Sequence, residues 1–155
     1  MIDLITGPNL RTLIQVDTLL VLGLMLASNY TSVLRLSRKV YATPEDYALN
    51  RMALPAAAES TSTQRVDDPI ARSRRIHANH LENVLPFILL SWLYALSAPS
   101  HWLFAGLLWS YLATRVVYTV FYARGMQPQR TIAFIGGFVI KATMAITTLF
   151  AAFGP

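Results

Sequence analysis

The 155-residue chain is 54% hydrophobic and only 14% charged, with a mean hydropathy of +0.43. A small soluble core does not need that much apolar surface, so a bilayer is the expected solvent. Cysteine is absent, which excludes disulfides, thiolate metal sites and a protein-borne cysteine nucleophile, so any thiol chemistry must use a substrate's thiol. The net charge of +5 is gathered beside apolar stretches without interleaved aromatics, which argues against nucleic acid as a partner.

Four apolar stretches, at about 11–37, 70–98, 101–124 and 128–153, are long enough to cross a hydrocarbon core, which takes roughly 20 helical residues each. No β-barrel alternation is present, so helices must satisfy the backbone. The first stretch lacks a basic leader and a small-residue cleavage site and is expected to stay in the mature protein. In the loop of about 38–69, Thr43-Pro44-Glu45-Asp46 reads as a helix cap and first turn. Ala53 to Arg65 reads as a mobile connector, and Asp67-Asp68-Pro69 starts the next helix. Tight turns are expected at Ala98-Pro99-Ser100 and Gln127-Pro128-Gln129. Short turns make consecutive spans antiparallel, so the expected fold is all-α, an up-down four-helix membrane bundle forming one domain over 1–155.

Charge sets the orientation. Eight of the 13 basic residues, Arg35, Arg38, Lys39, Arg51, Arg65, Arg72, Arg74 and Arg75, lie between the first two spans or at their ends. Arg124 and Arg130 flank the last connection, whereas the 97–101 turn has no Lys or Arg. Basic loops face the cytoplasm, so both termini are expected to face outward.

Glu82 is the last acidic residue in the chain and lies among apolar residues of the second span. Intramembrane carboxylates point to function by default. Arg72, Arg75, Asn79 and Glu82 recur at steps of three, four and three, which puts them on one helical stripe. Arg115, Tyr118 and Tyr122 form a matching stripe on the third span. At roughly 1.5 Å per residue, Arg115 comes level with Glu82, Tyr118 with Asn79 and Tyr122 with Arg75. A Glu82–Arg115 ion pair is therefore expected, because a lone charge at that depth is costly. Pro86 lacks an N–H and should leave the carbonyl of Glu82 without its intrahelical partner. The two ladders make a pocket with surplus guanidinium, two phenols, an amide and a carboxylate, which suits a small polyanion bearing one cationic group. Each residue also has an ordinary reading: the arginines as headgroup anchors, Glu82 and Arg115 as a register-fixing pair, and the tyrosines as packing or belt residues. His77 and His80 stand at i, i+3 with no further ligand in prospect, so no metal is expected. Asp17 and Lys141, in the first and fourth spans, are a weaker candidate pair.

The segments Arg38-Lys39-Val40-Tyr41-Ala42-Thr43-Pro44-Glu45-Asp46, Arg72-Ser73-Arg74-Arg75-Ile76-His77-Ala78-Asn79-His80-Leu81-Glu82-Asn83, Arg115-Val116-Val117-Tyr118-Thr119 and Gln127-Pro128-Gln129-Arg130 resemble the MAPEG superfamily. They resemble its glutathione transferase branch most and its prostaglandin synthase branch next, over nearly the whole chain. The resemblance implies a homotrimer binding glutathione, as co-substrate, between subunits near the cytoplasmic face. By position, Arg35, Arg72, Arg75, Asn79, Glu82, Tyr118, Tyr122, Arg130 and Thr131 would line that site, with Arg130 and Arg115 as the candidate catalytic residues. Bidentate arginines suit the tripeptide's carboxylates, and Glu82 suits its ammonium. The implied activity is attack of glutathione thiolate on a lipophilic electrophile from the membrane, or reduction of a lipid hydroperoxide. A non-catalytic lipid-binding or scaffold protein of the same fold, or a prostaglandin-E-synthase-like isomerase, are the alternatives. The implied location is the endoplasmic reticulum membrane in a eukaryote, or the inner membrane in a bacterium. Ala78 and Tyr118 depart from the family pattern, the first where the prostaglandin branch has arginine and the second where histidine is usual.

Overall fold

A computed structural model of the chain describes residues 7–41, 43–49 and 68–154. Among these the structure is helical, with five helices: α1 (Pro8–Ser37), α2 (Pro44–Leu49), α3 (Pro69–Leu96), α4 (His101–Ala123) and α5 (Gln129–Phe153). The expected connector from Ala53 to Arg65 lies outside the described residues.

Three of the helices, α1, α4 and α5, are long and apolar enough to cross a membrane by length and composition. The fourth long helix, α3, is 28 residues, about 42 Å at the usual rise. Its first half carries Arg72, Arg74, Arg75, His77, Asn79, His80 and Glu82, so its mean polarity is set by the stripe that makes it a candidate site.

The helix ends follow from local chemistry. Pro8 stands at the start of α1 and Pro69 at the start of α3, where the missing N–H costs nothing and the fixed φ is already helical. Asp68 caps α3, its carboxylate accepting from the N–H groups of Ile70 at 3.2 Å and Ala71 at 3.3 Å. Thr43 caps α2, its hydroxyl oxygen accepting from the N–H of Asp46 at 3.4 Å. Both α1 and α4 close in a paired-bond stop. In α1 the N–H of Val40 reaches the carbonyl of Arg35 at 2.9 Å and that of Lys39 the carbonyl of Leu36 at 3.1 Å. In α4, Met126 reaches Phe121 at 2.9 Å and Gly125 reaches Tyr122 at 3.1 Å. The reversing residue needs positive φ, which Gly125 takes at 69° without a Cβ penalty and Lys39 takes at 54°.

Consecutive long helices run antiparallel. The hydroxyls of Thr31 and Ser73 share a 2.7 Å hydrogen bond, joining the end of α1 to the start of α3. Asn9 donates to the carbonyl of Pro99 at 3.0 Å and its amide oxygen meets His101 Nδ1 at 2.8 Å, which ties the start of α1 to the α3–α4 turn. The tertiary contacts set α1 against α3 and α4, and α5 against α4 and α3. The core is drawn from all four long helices: Leu13, Val16 and Leu20, then Val84, Phe87 and Tyr94, then Phe104, Leu108 and Tyr111, and finally Met144. Phe87 and Tyr111 stack with ring centroids 3.6 Å apart. Leu26, Phe150 and Phe153 are among many large apolar side chains left on the outside, as expected of faces that meet lipid or another copy.

Removing the α3 cap tests one of these contacts directly. Asp68→Ala is expected to destabilise the bundle by about 1 kcal/mol, read as a lower melting temperature in detergent. The Arg38–Asp68 contact at 3.8 Å joins an exposed arginine to a partly exposed carboxylate and adds little. An unchanged melting temperature would mean that tertiary packing alone holds the end of α3.

Candidate functional site

The basic end of the bundle gathers side chains from α3, α4 and α5. Arg75 Nε donates to the hydroxyl of Tyr122 at 3.2 Å. The guanidinium of Arg130, from the first turn of α5, lies over the ring of Tyr122 at 4.4 Å. The ring of Tyr122 is 5.6 Å from that of Tyr118, and Tyr118 lies 5.2 Å from the guanidinium of Arg115. The result is a column along α4 with a cation at each end and two phenol rings between, which cation–π attraction favours. Its upper end is exposed enough to meet a solute, and its floor is not.

Gln127 holds the upper end in place. With its amide oriented to match its neighbours, its oxygen accepts from Arg130 Nε at 3.2 Å and from Arg130 Nη2, and its nitrogen donates to the hydroxyl of Thr131 at 3.0 Å. Arg130 is thus fixed between a ring face and an amide, and Thr131 is oriented by the same amide. In the sequence Gln127 stands in a turn and in a segment of the family resemblance, with no role for its side chain. Its spacing of three and four from Arg130 and Thr131 was the available signal.

Asn79 sits one turn deeper on α3, and its buried Oδ1 has no hydrogen-bond partner among the described residues. Buried amide oxygens are rarely left so. Its backbone carbonyl accepts from Asn83 Nδ2 at 2.9 Å, and Asn83 Oδ1 accepts from Lys141 Nζ at 2.8 Å. Asp17 instead accepts from the hydroxyl of Ser91 at 3.2 Å. The two groups have separate partners, so the suggested Asp17–Lys141 pair is not made.

The expected Glu82–Arg115 ion pair is not made within the subunit either. Glu82 is exposed on the outside of α3, whereas Arg115 is 2% exposed. The guanidinium of Arg115 turns toward α5, where it lies so close to Gly137 that any Cβ there would collide with Nη2. The rings of Tyr111 and Tyr118 each lie 5.2 Å from it. The faces of Tyr111 and Tyr118 and the space at Gly137 hold the side chain on the side toward α5. Arg115 Nε, Nη1 and Nη2 have no hydrogen-bond partner among the described residues.

Near Pro86, the carbonyl of Asn83 accepts from the hydroxyl of Tyr111 at 2.7 Å. His80 Nε2 shares a 2.8 Å hydrogen bond with the hydroxyl of Thr119, on the side of α3 facing α1. Arg72 lies at the rim of the ladder, where Nη1 donates to the carbonyl of Ala123 at 3.0 Å and so caps the end of α4. Arg35, at the end of α1, is joined by no hydrogen bond or ion pair to the α4–α5 cluster among the described residues.

The site therefore brings together Arg75, Tyr118, Tyr122, Arg130 and Thr131, with Asn79 beside them, Arg115 as floor and Glu82 outward. Such a helical bundle, with a guanidinium and phenol cluster at one end of long apolar helices, belongs to the class of helical membrane proteins. The sequence profile of the MAPEG family matches residues 13–150, and the chain is a member of that family. It is 33% identical over 133 residues to microsomal glutathione S-transferase 1 of Homo sapiens, covering 85% of this chain and 83% of that protein. It is likewise 33% identical over 135 residues to the Rattus norvegicus protein of the same name, with the same coverage. Prostaglandin E synthase of Macaca fascicularis is 30% identical over 148 residues, covering 95% of this chain and 92% of that protein.

Proposed function

We propose that this protein is a membrane-bound glutathione transferase with peroxidase capacity, acting as a homotrimer of four-span subunits with its site at the cytoplasmic face. The observation that carries this reading is Arg130 held over Tyr122 by Gln127, next to Thr131. Similarity to microsomal glutathione S-transferase 1 supplies the co-substrate. A free alkyl thiol with a pKa near 8.5 is mostly protonated at neutral pH, and a guanidinium beside it favours the thiolate. Arg130 stabilises that thiolate, and the hydroxyl of Thr131 or Tyr118 is a further donor.

The remaining groups hold the tripeptide. Arg75 faces its carboxylates, Tyr122 orients Arg75, Asn79 Oδ1 takes an N–H, and Glu82 takes the ammonium. Arg35, remote from the α4–α5 cluster within one subunit, is supplied by the neighbouring copy, which places the ligand between subunits. In conjugation the thiol proton leaves to solvent and the thiolate displaces the leaving group of a lipophilic electrophile. In peroxide reduction two glutathione thiols give two electrons to a lipid hydroperoxide, yielding the alcohol, water and glutathione disulfide. The protein contributes positioning and electrostatic stabilisation, since it has no cysteine of its own.

The test is to purify the protein in detergent and measure glutathione thiolate absorbance and conjugation to an aromatic electrophile. Thiolate formation with turnover is the expected result. No glutathione binding would overturn the proposal, and binding without turnover would favour a scaffold. Tyr122→Phe separates binding from chemistry. It removes the hydroxyl that accepts from Arg75 but keeps the ring under Arg130. The expected outcome is a rise in KM for glutathione of about tenfold, the worth of one hydrogen bond to a charged group, with kcat little changed. A fall in kcat at constant KM would assign the phenol to the chemical step.

A further inference from the structure

On the side of the bundle away from the α4–α5 cluster, α1, α3 and α4 enclose a groove that the glutathione reading does not use. Its volume is about 370 Å³, and Gly23, Ala27, Tyr30, Ile76, Leu112 and Val116 are among the residues lining it. It shares Tyr30, Ser73, Ile76 and Ala123 with a smaller cavity of about 130 Å³ that also includes Arg72. The two are continuous through those shared residues and mainly apolar, with His80, Arg115 and Thr119 at the wall of the larger one and the guanidinium of Arg72 at the end of the smaller.

We infer that this groove binds an anionic phospholipid of the bilayer, with an acyl chain along α1 and the phosphate at Arg72. The inference rests on α1, α3 and α4 spanning the membrane and is independent of the glutathione chemistry. Three observations carry it. On α1 the groove extends from Leu19 to Tyr30, about 16 Å at 1.5 Å per residue, which matches one leaflet's half of the roughly 30 Å hydrocarbon core. Arg72 is fixed at the basic end by its hydrogen bond to the carbonyl of Ala123, next to exposed Arg124. At that end the described basic residues Arg35, Arg38, Lys39, Arg72, Arg74, Arg75, Arg124 and Arg130 outnumber the described acids Glu45, Asp46 and Asp68. The local field is therefore positive where a lipid phosphate would lie. Finally, Gly23 leaves the groove open, because a Cβ built there meets nothing within 4 Å.

That open space provides the test. The protein is reconstituted in vesicles of equal phosphatidylglycerol and phosphatidylcholine, and the retained lipid is read by native mass spectrometry. Wild type is expected to retain phosphatidylglycerol about fivefold over phosphatidylcholine, the effect of one basic side chain near the membrane surface. Gly23→Phe, which fills the groove, should lose the retained lipid while keeping the melting temperature and any conjugating activity. Ala27→Phe serves the same purpose should Gly23→Phe misfold. Arg72→Gln should keep lipid but lose the preference. Equal retention of the two lipids by wild type, or undiminished retention by the filled groove, would overturn the inference. So would efficient cross-linking between copies through Gly23→Cys in this cysteine-free chain, which would show a second protein helix over the groove. Lipid retention is scored with or without glutathione turnover, so failure here is distinct from failure of the transferase reading.

Discussion

Arg130→Ala is expected to abolish glutathione thiolate formation and to lower conjugation by about 10²-fold or more, while the bundle assembles and melts as before. A unit charge about 4 Å from a thiolate sulfur, at the effective dielectric of a protein surface, is worth up to ~4 kcal/mol, or about 10³-fold in thiolate fraction. Arg130 is only half-buried, so solvent screening reduces that figure. Among the described residues it meets the ring face of Tyr122 and the amide of Gln127, neither of which is a core contact. The loss should therefore be chemical and not structural. Arg130→Lys keeps the charge but not the planar face that lies over Tyr122, so it should recover part of the thiolate signal. Equal thiolate absorbance in Arg130→Ala and wild type would move the thiolate-stabilising role to another group in the column.

Much of this site was legible in the sequence because helical spacing is a strict rule. Steps of three and four place Arg75 and Asn79 on one stripe and Tyr118 and Tyr122 on another, and counting residues from the helix ends put Arg75 level with Tyr122, where a hydrogen bond is found. Spacing on one helix reports depth and face but not which neighbour a long side chain will choose. Arg115 illustrates the gap. Its side chain is directed toward Gly137, a residue on another helix whose effect is an absence of atoms. Arg72 shows a second limit, since the carbonyls that end α4 are acceptors in every sequence and leave no trace in residue type. Gln127 was missed for a different reason. A glutamine before proline in a turn satisfies local backbone rules, and only the positions of Arg130 and Thr131 reveal its side-chain role. The helix stops were similarly hidden: Gly125 is an ordinary signal, but Lys39 at positive φ is not.

The floor of the column yields the other large effect. Gly137→Leu is expected to destabilise the bundle by about 1–3 kcal/mol, the usual cost of overpacking, and to reduce glutathione turnover through displacement of Arg115. A Cβ at this position would lie 3.2 Å from Arg115 Cζ and 3.1 Å from Thr114 Oγ1, and would collide with Arg115 Nη2. The guanidinium has little room to retreat, because Tyr111 is fully buried and Tyr118 nearly so. Tyr118 also carries the disturbance upward, since it lies between Arg115 and Tyr122. Arg115→Ala should relieve the clash, so the double variant should melt above Gly137→Leu alone. That non-additivity is the signature of two groups sharing one space. In the Arg115→Ala single variant, loss of packing on both rings competes with relief of burying a charge that has no hydrogen-bond partner among the described residues. Its melting temperature should therefore change less than that of Gly137→Leu. Strictly additive melting shifts would show that Gly137 is required by contacts other than Arg115, with Thr114 the first to examine.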